Sequence, residues 1–273
     1  MKVIQSHGLN IAYTDQGQGD LVILAHCSSA SHRAWLPLIS QLKKNYRVVA
    51  PDLIAYGRSD PWPQNQPFDP FADVYVIEQL MKEADRPVHL VGHSYGGAMV
   101  LEAARRNAAC VKSLSLIEPV AFHLLRQIEP QDAWQRIAAL SKKVNALHGT
   151  GKHHQAAAAY MIFWIGHWRW WLMPNKRKRG IVETIAKVAH EFAAMHQVET
   201  PLEQYAEIDV PVKLLAGERT RREARDVVDV LDQAFGNADL QVISGAGHMS
   251  VFTHTQFVNQ SILEHILDID EKG

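Results

Sequence analysis

Cysteine is almost absent. Cys27 and Cys110 are the only two in 273 residues, too few for a disulfide framework or a four-cysteine zinc site. Charge of one sign is lacking too: 28 Lys and Arg against 29 Asp and Glu leave a formal net charge of −1. Nucleic-acid binding and membrane-surface attachment both draw on an excess of basic residues. Neither is therefore expected, and the expected partner is a small-molecule substrate. No apolar run approaches the roughly 20 residues that span a bilayer. The start, Met1 to Gly8, lacks the apolar stretch of a secretory leader, so a cytoplasmic location is expected. There is no G-x-G-x-x-G phosphate loop, and the adjacent His153 and His154 have no carboxylate partner at metal-ligand spacing. No cofactor and no metal is expected. Internal repeats, low-complexity linkers and any signature of a particular oligomeric state are also missing.

What is present is apolar patterning. Hydrophobic residues make up 47% and charged residues 21%, enough at this length to bury a large core without staples. Val3-Ile4 and Leu9 to Tyr13 flank a turn at His7-Gly8 and predict a hairpin. The continuous run Leu21 to Ala25 predicts a strand buried on both faces. A small-residue loop, Ser28 to Ser31, is followed by helical spacing at Trp35, Leu38, Ile39 and Leu42, and then by a short strand at Tyr46 to Ala50. Pro61, Pro63, Pro67 and Pro70 make the next segment a loop. A helix over 72–84, a strand over 87–92, an Ala-rich helix over 96–106 and a strand over 111–117 complete a β-α-β-α alternation. That alternation predicts an α/β fold, a mostly parallel twisted sheet with helices on both faces. At Pro119 the pattern breaks. Residues 120–205 show no convincing strand and hold five of the seven tryptophans. Strands at 212–216 and 240–243 and helices at 224–235 and 257–267 then resume it. The chain thus divides into a discontinuous α/β core, 1–118 with 206–273, and a helical insert, 119–205.

Gly92-His93-Ser94-Tyr95-Gly96-Gly97 carries the strongest chemical signal. It is a G-x-S-x-G lying between a predicted strand and a predicted helix. In that setting the turn is too tight for side chains beside the serine, and the hydroxyl is thrown above the sheet edge. A serine hydroxyl is a poor nucleophile near neutral pH and needs a base. The chain offers 15 histidines. His248 stands out among them because it follows the last predicted strand in the Gly-rich loop Gly245-Ala246-Gly247.

With these motifs the chain resembles the α/β-hydrolase superfamily, over nearly the whole core. His26-Cys27-Ser28 is similar to the oxyanion loop after the third strand, Asp52 to Asp60 to the loop after the fourth, and Gly245 to Met249 to the segment bearing the catalytic histidine. Leu116 to Phe122 and Gly217 to Thr220 are similar to a poorly characterised group of these hydrolases with a displaced acid. The resemblance implies that the helical insert is a cap, that Ser94 is the nucleophile and His248 its base. It implies an oxyanion hole made by the backbone N–H groups of Ser28 and Tyr95. Two departures stand out. Cys27 occupies a position where glycine is usual, which puts the loop's backbone geometry in question; the thiol itself reads as a small buried hydrophobe. Thr220 occupies the usual position of the triad acid. Glu118, at the end of the sixth strand, is favoured as the acid, as in haloalkane dehalogenases. Glu218, Glu223 and Asp226 are the alternatives, and a dyad without an acid is the third option.

Two further segments invite interpretation. Phe163 to Trp171 reads either as the lining of an apolar acyl or aromatic pocket under the cap or as packing of the cap onto the sheet. Lys176-Arg177-Lys178-Arg179 reads as a solvated loop. The function expected is a carboxylesterase-like serine hydrolase acting on a small, apolar ester through an acyl-enzyme. Hydrolysis of a carbon–carbon bond in a β-diketone or ring-cleavage product is the enzymatic alternative. A catalytically silent ligand-binding protein on the same fold is the alternative from another class.

Overall fold

A computed structural model describes residues 1–63 and 65–272. Eight strands form one sheet in the order β1-β2-β4-β3-β5-β6-β7-β8. The expected hairpin is β1 (Lys2–Ser6) and β2 (Leu9–Gln16), antiparallel, and β2 also runs antiparallel to β4 (Arg47–Pro51). All other pairings, through β3 (Leu21–Ala25), β5 (Val88–His93), β6 (Val111–Ile117), β7 (Val212–Gly217) and β8 (Ala238–Ile243), are parallel. This is the α/β fold, a mostly parallel sheet with helices on both faces, expected from the alternation.

Strand β3 shows why a continuous apolar run is needed at the centre of such a sheet. Val22 and Leu24 pack on one face with α1 (Leu36–Leu42) and the closing helix α11 (Thr255–Lys272). Leu21, Ile23 and Ala25 pack on the other, where α2 (Ala72–Met81) and α3 (Tyr95–Arg106) lie. Both sides of the pleat are covered, so neither parity can be polar. Helix α9 (Arg222–Ala234) follows β7, and the short α10 (Ser250–Thr253) precedes α11.

Between β6 and β7 the chain makes only helices among its described elements. After a 3₁₀ turn at Phe122–Gln127 come α4 (Asp132–Gly149), α5 (His153–Leu172), α6 (Asn175–Glu183), α7 (Ile185–Met195) and α8 (Leu202–Ala206). One expectation is corrected: Lys176 to Arg179 is not a loop but the first half of α6. Lysine and arginine are good helix formers, but a run charged all round has no apolar face and leaves no helical period to read. Among the described residues no helix is long and apolar enough to cross a membrane.

An ion pair in the interior ties this helical segment to the sheet. Lys187 of α7 reaches Asp73 of α2 at 2.6 Å, with side chains 1% and 0% exposed. Lys187 also lies 3.1 Å from the Tyr95 hydroxyl, and Asp73 accepts the Ile54 N–H at 2.8 Å. Removing one member strands the other's charge out of water, a loss of about 3–5 kcal/mol. Lys187→Met is therefore expected to lower the unfolding free energy, measured in urea, by about 3 kcal/mol. Asp73→Asn in the same chain should recover part of that loss; a neutral effect of Lys187→Met would contradict this account.

Candidate active site

Parallel register brings the site together. Gly92 pairs with Leu116 and His93 with Ile117, so the residues that follow β5 and β6, Ser94 and Glu118, emerge side by side at the same sheet edge. Ile117 pairs with Leu215, and Gly217 with Ile243, which adds the segments after β7 and β8. Ser94 sits between β5 and α3 at φ 55°, ψ −118°, a conformation a side chain resists. The flanking glycines are required by contact: a Cβ on Gly92 would fall 2.5 Å from the Gly96 carbonyl, and one on Gly96 2.5 Å from that of Ala25. Glu118 is also held at positive φ, 43°.

Three side chains meet there in one line. Ser94 Oγ is 2.9 Å from His248 Nε2, and His248 Nδ1 is 2.6 Å from Glu118 Oε2. A carboxylate can only accept, so Nδ1–H donates to Glu118 and Nε2 is left to accept from the serine. The remaining capacity of Glu118 is filled by the Gly217 N–H at 2.7 Å and the Thr220 hydroxyl at 2.5 Å. Burial pushes the Glu118 carboxyl up, but bonds from His248, Thr220 and Gly217 outweigh it and hold the group below its ordinary range. Thr220, at the position where an acid is usual, thus binds the carboxylate that comes from elsewhere. Sequence reasoning treated it only as a missing acid; the signal available was that threonine keeps a hydrogen-bonding oxygen there.

The other carboxylates named from the sequence lie apart from this line. Glu218 accepts from the Gly245 N–H at 2.7 Å and staples the loop that carries His248. Glu223 is engaged by Arg136 at 2.6 Å, and Asp226 by Arg222 at 3.3 Å. None of the three bonds to His248.

The loop after β3 is held by His26. Its Nδ1–H donates to the Cys27 carbonyl at 2.7 Å, and its Nε2 accepts the Leu53 N–H at 3.0 Å. Positive φ in this loop falls at Ser29 (56°) rather than at Cys27, so cysteine needs no glycine conformation there. The Cys27 thiol is pushed up to about 12 by burial, which leaves it protonated and unreactive. The Ser28 and Tyr95 N–H groups meet no protein acceptor among the hydrogen bonds of the described residues. For Tyr95 this follows from its place in the first turn of α3, where N–H groups have no intrahelical partner. The Ser28 hydroxyl donates to Glu191 of α7 at 2.5 Å, and the Tyr56 hydroxyl to the same carboxylate at 2.7 Å.

Ser94 opens on a partly open cavity with about 740 Å³ of empty space, adjoining solvent included. One face of α3 forms its floor: Ser94, Ala98 and Glu102, at i, i+4 and i+8, all line it. The walls are mainly apolar, with Phe71, Met99, Phe122, Val188 and Phe192 among them. At the far end Tyr205 donates to Glu102 at 3.0 Å and lies 3.2 Å from His123 Nε2. Among the described residues no Lys or Arg lines the cavity. The tryptophan-rich segment divides here. Trp164 of α5 lines the cavity and stacks on the His248 imidazole, centroids 3.8 Å apart, whereas Trp168 and Trp171 point to solvent.

These features define a class, and comparison with known proteins agrees. Residues 22–260 match the model of the alpha/beta hydrolase family, and the chain belongs to that family. It is 27% identical over 149 residues to the Arabidopsis thaliana protein named "Probable lysophospholipase BODYGUARD 1", a match covering 46% of this chain and 30% of that one. The chain spans less than half the length of the curated relatives it matches. Among solved structures, it is similar to a thermophilic esterase from Thermogutta terrifontis, with a TM-score of 0.76 at 18% identity over 98% of this chain and 99% of that one. A meta-cleavage product hydrolase from Pseudomonas fluorescens IP01 gives 0.72 at 18% identity, over 98% of each chain. At such identity these two likenesses describe the fold alone.

Burial also makes the fold acid-sensitive. Desolvation lowers His26, His89 and His123 to about 4 and His93, which donates to the His248 carbonyl at 2.9 Å, to about 3. In the unfolded chain histidine takes a proton near pH 6.5. Below that value the unfolded state binds more protons than the native one, so stability falls with pH until the native values are reached. The urea midpoint is expected to decline steeply from about pH 6.5 toward pH 4, and His93→Gln to make the decline shallower. A midpoint constant across that window would show that these rings are not buried and neutral.

Proposed function

We propose that the protein is a serine hydrolase that cleaves the ester, or a related acyl bond, of a small uncharged substrate through an acyl-enzyme. The observation that carries this reading is the unbroken line Ser94–His248–Glu118 opening on an apolar cavity. As Ser94 Oγ forms its bond to the carbonyl carbon, its proton passes to His248 Nε2. Glu118 holds the imidazole in the required tautomer and stabilises its cationic form. The stacked Trp164 face adds to that stabilisation. The oxygen that becomes negative is held by the Ser28 and Tyr95 N–H groups. His248 then protonates the leaving alcohol as the carbon–oxygen bond breaks. Water, deprotonated by His248, attacks the acyl carbon and releases the acid and Ser94. The helical segment between β6 and β7 acts as a cap that closes the cavity.

The cavity supports a statement about the substrate. Glu102 lies eight residues beyond Ser94 along α3, a reach of about 12 Å; the lining is mainly apolar, interrupted by Ser28 and the Glu191 carboxylate, and ends at the polar Glu102–Tyr205–His123 group. An anionic group would meet no cation on the way, which disfavours ring-cleavage acids and favours an ester with an uncharged acyl chain of medium length. Chain-length preference on aryl esters is expected to rise and then fall once that reach is exceeded.

Two experiments test the assignment of roles. A fluorophosphonate probe should label the wild type and not Ser94→Ala; an unlabelled wild type would favour a silent binding protein. Glu118→Gln should lower kcat by about 10³–10⁴, by analogy with loss of the tautomer-fixing acid in other triads. Thr220→Val should lower it by about tenfold, the worth of one hydrogen bond to a charged group, with Glu218→Gln and Asp226→Asn near wild type. If Glu218→Gln or Asp226→Asn produces the large loss and Glu118→Gln does not, the acid is misassigned.

A further inference from the structure

The near-zero net charge conceals a strongly uneven distribution. Between Asp132 and Glu183 the chain carries nine Lys or Arg and no Asp or Glu, so the remainder is net negative. The densest part of this stretch is the corner where α5 ends and α6 begins. There Gly166 breaks α5, at φ 82° and ψ 161°. Beyond the break Trp168, Trp171 and Leu172 stand 69%, 67% and 58% exposed. Their i, i+3, i+4 spacing puts them on one face, and the two indoles lie 5.3 Å apart. Lys176, Arg177 and Arg179 are exposed immediately afterwards, and Arg169 lies within the patch sequence. Lys178 binds the basic run back onto the tryptophans: Nζ donates to the Trp171 carbonyl at 3.1 Å and lies 5.4 Å from the Trp170 ring centroid. A soluble surface does not ordinarily hold two neighbouring tryptophans in water.

We propose that this α5–α6 corner is an interfacial surface that seats the protein on an anionic phospholipid bilayer. Tryptophan is the side chain suited to the headgroup level, with an apolar ring and a polar N–H. The surrounding cations match the negative surface potential of anionic lipid. An isologous dimer is the competing use of an apolar patch, but a two-fold axis through the Trp168–Trp171 pair would gather the Lys176 to Arg179 runs of both copies around one small interface, at a like-charge cost. Charge therefore selects lipid over self. The Trp pair lies on the helix that also carries Trp164 at the cavity, four residues before Trp168. Seating α5 on a bilayer would bring the cavity's helical cover to a surface where amphiphilic esters are concentrated. That consequence rests on the hydrolase reading; the surface itself does not.

Binding is measured by co-sedimentation with vesicles of phosphatidylcholine alone and of phosphatidylcholine mixed with phosphatidylglycerol. The wild type is expected to sediment with the anionic vesicles, with a blue shift of tryptophan emission. It should stay in solution with phosphatidylcholine alone and come off at about 1 M salt, where charges are screened within about 3 Å. Trp168→Ser with Trp171→Ser should weaken binding about tenfold or more, and Lys176→Ser with Arg177→Ser several-fold. Both double variants should keep the wild-type urea midpoint and the wild-type rate on a soluble short-chain ester, which separates lost docking from lost folding. Ser94→Ala should bind as the wild type does. Vesicle binding by a protein inert to fluorophosphonate would sink the hydrolase reading and leave this one standing. The proposal is overturned if the wild type ignores anionic vesicles, or if neither double variant loses binding. It is also overturned if the wild type is a dimer that Trp168→Ser with Trp171→Ser turns into a monomer.

Discussion

Everything at the site depends on where one carboxylate is anchored. Glu118 comes from the end of β6, yet it is fixed by groups that follow β7, the Gly217 N–H and the Thr220 hydroxyl. Those two bonds decide which oxygen faces His248 and so which ring nitrogen faces Ser94. Hydrogen bonds to an ionised carboxylate are short and strong, and burial removes water as a competitor. Anchoring of this kind turns three separate loops into one rigid unit. The strain at Ser94 and Glu118, both at positive φ, is tolerated because the surrounding sheet fixes it.

Much of the fold was legible from residues alone, for a local reason. Strands such as Leu21–Ala25 and helices such as α3 carry their burial pattern within a few residues, and the G-x-S-x-G turn is dictated by contacts that only glycine permits. What could not be read there depends on neighbours distant in sequence. Thr220 lies 102 residues from the carboxylate it holds, and only the β6–β7 register joins them. Glu118, Glu218, Glu223 and Asp226 are chemically equivalent in a string of letters; the place of Glu118 after the sixth strand favours it, and geometry sets it beside His248 with the others engaged elsewhere. The loop after β3 posed a similar problem. Cys27 seemed to stand where glycine was required, but positive φ sits two residues later, at Ser29. Helix α6 is not legible because the four consecutive charges Lys176 to Arg179 leave no apolar period to read.

The helical segment between β6 and β7 is joined to the core by chemistry as well as by packing. Helix α7 buries Lys187 against Asp73 and sends Glu191 to the Ser28 hydroxyl. Helix α5 lays Trp164 over the imidazole of His248. Movement of these helices would therefore alter the loop after β3 and the histidine ring together.

The central claim is that Glu118, anchored through Thr220, holds the proton on His248 Nδ1. Proton NMR in water tests it most directly, because an imidazole N–H shared with a buried carboxylate resonates far downfield of the amide region and exchanges slowly. The account predicts a downfield resonance from His248, beside any from the His32–Asp52 pair at 2.7 Å, that is retained in Glu218→Gln, shifted in Thr220→Val and lost in Glu118→Gln. A downfield spectrum that Glu118→Gln leaves unchanged in every line would contradict it.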